Sequence, residues 1–202
     1  MESQFYWVGM ADVPQWLVTT PVPVSGGEFD EPWMFGEGRL LPDPGPIKAQ
    51  VAHPGEKRAF VFSVIEKVPI VSEAVANVFR TLAPDDIQLF PVTVEGESER
   101  YFIVNATKVV DCIDEANCRE VHHYTEEDPF PEYAGEYRWI YGMRIDPSKT
   151  EGVRVFRPKR FKTAFIVSEE IKDALERVGS LGVSFERVTD PYTRGGQDGQ
   201  RA

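Results

Sequence analysis

The chain has 202 residues, 42% of them hydrophobic and 12% aromatic, which is enough to bury a core in one domain or in two small lobes. With 33 acidic and 22 basic residues its formal net charge is −11, which argues against nucleic acid as a direct partner, because phosphate binding needs a basic footprint. Two cysteines make no disulfide framework, residues 1–7 lack a basic, apolar leader pattern, and no apolar run reaches membrane-spanning length, so the expectation is a cytoplasmic protein with no membrane partner.

Taken in order, residues 5–8 read as a short strand. Prolines and glycines then crowd the chain to about residue 56, among them Pro14, Pro21, Pro23, Gly26, Gly27, Pro44, Gly45 and Pro46. That density forbids long helices and central strands. Trp7, Trp16, Trp33 and Phe35 lie within it, so residues 1–57 are expected to form an irregular arm that packs its aromatics on the core or on a partner. Residues 58–190 read as the main α+β domain, and 191–202 as a disordered tail.

Within the main domain, 59–65 reads as a strand, 72–82 as a helix and 87–94 as a strand. Pro91 places that strand at an edge or on a bulge. Residues 95–98 turn the chain, 100–104 return as the second strand of a hairpin, and 107–113 continue as β. Further on, 137–145 reads as a strand, 146–149 as a turn and 153–156 as a strand. Mostly antiparallel pairing is expected throughout.

One unit is used twice. Ile70, Val71, Ser72 and Glu73 are answered without a gap by Ile166, Val167, Ser168 and Glu169. Val75, Phe79 and Leu82 are answered by Ile171, Leu175 and Val178 at helical spacing. The match continues through Val92 and Val188, so the repeat covers 69–92 and 165–188 as strand, helix, strand. Each Ser is expected to cap its helix by accepting a backbone N–H, and each Glu sits at the positive end of the dipole. Pro84 stops the first helix and Gly179 the second.

Charge is segregated between the two copies. Residues 111–136 hold nine acids (Asp111, Asp114, Glu115, Glu120, Glu126, Glu127, Asp128, Glu132, Glu136) against Arg119 alone. Residues 138–162 reverse the balance, with Arg138, Arg144, Lys149, Arg154, Arg157, Lys159, Arg160 and Lys162. The acidic stretch suits a basic partner better than acid–base catalysis, which needs two carboxylates in contrasting environments. Asp111, Asp114, Glu115, Glu126, Glu127 and Asp128, with Trp33 and Trp139 as aromatic anchors, are the candidate partner-binding residues. Cys112, Cys118, His122 and His123 have the residue types for zinc but not the spacing, since adjacent histidines on a strand point to opposite faces, so no metal is expected. No glycine-rich phosphate loop, Gly-x-Ser-x-Gly or His-Glu-x-x-His occurs, and no cofactor or catalytic residue is assigned.

Residues 88–92 (Gln-Leu-Phe-Pro-Val), 101–105 with 109–114, 144–147 (Arg-Ile-Asp-Pro) and 165–169 resemble a bacterial toxin-immunity protein family typified by myxobacterial immunity proteins, formerly a domain of unknown function. The resemblance spans roughly 60–188. It implies a small non-enzymatic cytosolic protein that binds and neutralises a cognate toxin encoded nearby. The alternatives are an inhibitor or chaperone-like partner of a secreted enzyme, and a carboxylate- or metal-dependent hydrolase.

Overall fold

The computed structural model describes residues 3–64 and 67–190. The expected tail, 191–202, and the end of the 59–65 strand lie outside them. In chain order the strands are β1 (Phe5–Met10), β2 (Leu17–Val18), β3 (Val22–Pro23), β4 (Ile47–Ala49), β5 (Val51–His53), β6 (Phe60–Phe62) and β7 (Pro69–Ser72). Helix α1 (Glu73–Leu82) follows, then β8 (Ile87–Val94), β9 (Tyr101–Ala106), β10 (Val109–Val110), β11 (Glu120–His123), β12 (Tyr137–Tyr141), β13 (Val155–Pro158) and β14 (Ile166–Ser168). Helix α2 (Glu169–Val178) and β15 (Val183–Arg187) close the order.

The architecture is α+β. A six-stranded sheet runs β3-β4-β8-β9-β7-β6, and a five-stranded sheet runs β10-β13-β14-β1-β15. Pairing is antiparallel except for β4 with β8 and β10 with β13. A parallel bridge from Phe60 to Leu181 joins the two sheets, with Gly182 N donating to Phe60 O at 2.9 Å. The first sheet places β9 between β7 and β8, while the second places β1 between β14 and β15. A strand from the N-terminal arm therefore lies inside the second sheet.

Side-chain alternation along the strands separates the two faces of each sheet. Phe102 and Val104 of β9, Val71 of β7, Val8 of β1 and Val167 of β14 share one core with both helices. There Phe60, Phe79 and Phe165 meet edge to face at 6.2–6.5 Å. Val75 and Phe79 of α1 and Ile171 and Leu175 of α2 are fully buried in it, each worth about 1.5–3 kcal/mol. The opposite face of the six-stranded sheet is covered by the arm, through Trp16, Val18, Phe35 and Leu41. The opposite face of the five-stranded sheet is covered by the segment after β10, through Cys112, Tyr137, Ile140 and Met143.

Local differences from the expectations have physical causes. Ser72 caps α1 by accepting from Val75 N at 3.5 Å, but Ser168, at the same place before α2, has a buried Oγ that accepts no bond. Pro91 sits in a strand flanked on both sides, not at a full edge. The β4 ladder begins at Val92, so the missing proline N–H falls just outside it. Over the remaining β8 edge the arm is tied by Gln88, whose amide clamps Leu41 N and O at 2.8 and 2.9 Å, while Asn105 donates to Arg39 O at 2.9 Å. The 107–113 strand shortens to β10, with Ile113 making an isolated bridge to Ile145.

Candidate functional site

β11 and β12 form a two-stranded sheet, with Glu120 opposite Tyr141 and His122 opposite Trp139. A bulge between His122 and His123 inserts Arg138 and turns the next pair, His123 with Tyr137, to the other face. One face is thus buried: Tyr137 and Ile140 join the core beneath. The other carries Glu120, His122, Trp139 and Tyr141 and stays open. The His122 and Trp139 rings stack with centroids 3.5 Å apart, and Tyr141, 59% exposed, meets Trp139 edge-on at 4.7 Å. In the loop joining the strands, Phe130 and Tyr133 are both more than half exposed beside Glu126 and Glu127.

The expected acidic residues divide into two groups. Several are engaged within the fold. Asp111 pairs with Lys159 at 3.3 Å and Asp114 accepts from the Asn117 amide at 2.7 Å. Glu115 accepts from the Tyr137 hydroxyl at 2.6 Å, and that bond holds its carboxyl below the usual range. Asp128 accepts from Thr125 N at 2.7 Å and pairs with Arg138 at 2.8 Å; the backbone bond is the main cause of its lowered pKa. Glu126 and Glu127, by contrast, are exposed and pair with no described residue. The basic segment expected to balance the acidic one supplies Arg138 and Lys159, so part of the acidic surface is neutralised locally.

The cysteines and histidines do not converge. Cys112 is buried, and burial pushes its thiol up to about 12. Cys118 Sγ accepts from Arg144 N at 3.2 Å. His122 contacts Glu120 at 2.9 Å, and His123 faces Glu115 at 3.5 Å. Among the described residues no group of three or more His, Cys, Asp or Glu side chains could hold a metal ion.

Trp33, the other expected anchor, lies elsewhere. It is 58% exposed on the rim of a groove of about 510 Å³ between the two outer coverings. Trp7 and Phe161 form one aromatic wall, with rings 5.9 Å apart. Lys67, Arg138, Arg157 and Lys162 line it against one acid, Glu37. Trp33 and Trp139 therefore belong to two surfaces, joined through Arg138. Tyr141, Phe130, Tyr133 and Lys67 are not among the residues that the sequence singles out, although the aromatic density of 130–141 is a signal for the first three; Arg138, Arg157 and Lys162 belong to its basic segment.

The open aromatic hairpin face and the charged groove are the two exposed features of the described residues that combine aromatic and charged side chains. A family model for the Imm11 immunity proteins matches residues 50–190, and the chain belongs to that immunity protein family. Such families are generally non-catalytic, and membership carries a toxin-neutralising function and a cognate toxin as partner. No curated protein matches the chain. Among the described residues no helix is long and apolar enough to cross a membrane.

Proposed function

We propose that this protein neutralises its cognate toxin by tight one-to-one binding that occludes the toxin's active site, without catalysis of its own. The observation that carries this reading is the open face of β11 and β12. His122, Trp139 and Tyr141 form a preassembled aromatic stack there, and the loop between the two strands carries the exposed Glu126 and Glu127, which pair with no described residue. Rigid aromatic anchors in a charged rim are the arrangement of interface hot spots. These two carboxylates would speed encounter with a basic toxin by electrostatic steering, and Asp111, Asp114, Glu115 and Asp128, engaged within the fold, would add less. On this reading the toxin is encoded nearby and met in the cytoplasm, and the two strand–helix–strand units are one scaffold piece used twice.

The test is co-expression with the product of the adjacent toxin gene, followed by co-purification. Trp139→Ala should weaken the complex by roughly 2 kcal/mol or more, on the scale of a hot-spot truncation. The Glu126→Gln, Glu127→Gln pair should slow association at low salt and leave dissociation nearly unchanged. No complex and no protection by the parent protein would sink the reading. Full affinity in Trp139→Ala would move the contact to another face.

A further inference from the structure

We infer that the groove between the arm and the β11–β12 covering is a second contact site, built for an extended segment of a protein partner that carries carboxylates beside apolar side chains. It rests on the toxin-binding reading for the identity of the partner, but not for the chemistry of the groove.

The charge of the groove opposes that of the chain. In a protein of net charge −11, Lys67, Arg138, Arg157 and Lys162 converge on one cavity with Glu37 as the acid among its lining residues. A concave site with one sign of charge focuses the field and attracts its opposite. Arg157 forms its floor, 3% exposed. Its guanidinium donates to Lys162 O at 2.6 Å and Phe35 O at 3.3 Å, and among the described residues its Nε finds no acceptor and no carboxylate bonds to it. Its other near partner is the Phe165 ring, 5.6 Å from the guanidinium, and Glu37 acts on it only from beyond hydrogen-bond distance, so positive charge beneath the groove is only partly offset.

Two of the other three cations are held in exchangeable ion pairs. Lys162 pairs with Glu37 at 2.7 Å and Arg138 with Asp128 at 2.8 Å, both as surface pairs. Surface pairs exchange partners at little cost, so an incoming carboxylate can take either cation. Trp33 and Met10 are exposed on the rim, and Trp7 and Phe161 form the wall, which supplies apolar contact for the neighbouring side chains. A lone small anion would use the cations and leave these aromatics uncovered, so the groove fits a peptide segment better.

The test uses the full chain and a fluorescein-labelled peptide alternating glutamate with phenylalanine, read by fluorescence anisotropy at low salt. The same peptide with lysine for glutamate is the control. The glutamate peptide should bind and the lysine peptide should not. Lys162→Glu and Trp33→Ala, both at exposed positions, should each weaken binding at least tenfold, while Trp139→Ala binds as the parent does. Equal binding of both peptides, or unchanged binding in Lys162→Glu, overturns the inference. Displacement by inorganic phosphate at the same concentration as unlabelled peptide makes the groove a small-anion site and overturns it too. Self-association abolished by Trp33→Ala would instead make the occupant a second copy. Protection by the parent that is lost in Lys162→Glu supports the groove as a toxin contact, protection kept in both overturns that role, and no protection by the parent is failure of the toxin-binding reading alone.

Discussion

Asp86, in the loop after α1, is buried and is one of the points where the first half of the chain grips the second. Its Oδ2 accepts from Arg154 N at 2.7 Å and Val155 N at 3.3 Å, at the start of β13. The Arg154 side chain reaches back to Leu82 O at 2.9 Å, the end of α1, and pairs with Glu170 of α2 at 3.2 Å. Asp86→Ala removes the acceptor and leaves two backbone donors unpaired next to the core. Hydrogen bonds to charged groups are worth about 1.5–3 kcal/mol each. The two share one oxygen and the second is long, so the expected loss is about 3 kcal/mol rather than double the upper value. At this chain length each kcal/mol moves Tm by roughly 2–4 °C, which gives a fall of about 6–12 °C. Asp86→Asn keeps one amide oxygen as acceptor and should lose less than half as much. Thermal unfolding followed by circular dichroism reads both. A fall below about 3 °C in Asp86→Ala, or equal losses in the two variants, would refute the view that this carboxylate joins the halves.

Gly55→Ala should destabilise by about 1–3 kcal/mol in urea unfolding, because a Cβ there would lie 2.5 Å from Gln15 O and 2.8 Å from Trp16 N, and backbone cannot yield as a side-chain tip can. The Cys112 thiol, buried and pushed up to about 12, should resist a thiol reagent at pH 8 until the protein is unfolded; stoichiometric labelling of the native protein at that position would contradict its burial. Glu115 has a folded-state pKa depressed mainly by the Tyr137 hydrogen bond, so its contribution is fully present above the unfolded value near ~4.3 and is lost as pH falls through the folded value. Glu115→Gln should therefore flatten the fall of Tm on that acid limb, and an unchanged slope would show that the bond does not form in solution. A fragment of residues 50–190 should fail to give a cooperative unfolding transition, because it lacks β1 and the Trp16 and Phe35 covering; a cooperative, native-like fragment would show the arm to be dispensable.

Where the signal was local, the sequence and the structure agree closely. Ser72, the apolar spacing of Val75, Phe79 and Leu82, and Pro84 delimit α1, and the alternation of 87–94 delimits β8 at the same residues. Pairing partners were not legible, because sheet order depends on contacts distant in sequence. Nothing in residues 5–10 says that they will pair with 166–168 on one side and 183–187 on the other. Nor does composition say which carboxylates stay unpaired. Residue type groups Asp111 and Asp128 with Glu126 and Glu127 as one acidic surface, but Lys159 and Arg138 fold back onto the first two. The bulge at His122 and His123 is the decisive detail of the hairpin. Without it Tyr137 and Trp139 would share a face by simple alternation, and Trp139 could not lie on the open face while Tyr137 is buried in the core.

The two proposed contact surfaces lie outside residues 69–92 and 165–188, and packing explains why. The inner face of each sheet is fixed by α1 and α2, where a change of one methylene disturbs close-packed Phe60, Phe79 and Phe165. The outer coverings need only a few anchors, such as Trp16 and Phe35 on one side and Tyr137 and Met143 on the other, so the residues between those anchors are left to face outward. The groove joins the two coverings. Its cations, Lys67, Arg138, Arg157 and Lys162, fall within the residues matched by the family model, while Trp7, Trp33 and Glu37 fall before them. If the groove binds an acidic segment, its charge comes from the family-defining body and its aromatic rim from the arm. Charge sets the class of segment accepted and the rim sets which neighbouring side chains fit, so exchanging the arm between two such proteins would change partner choice more than encounter rate.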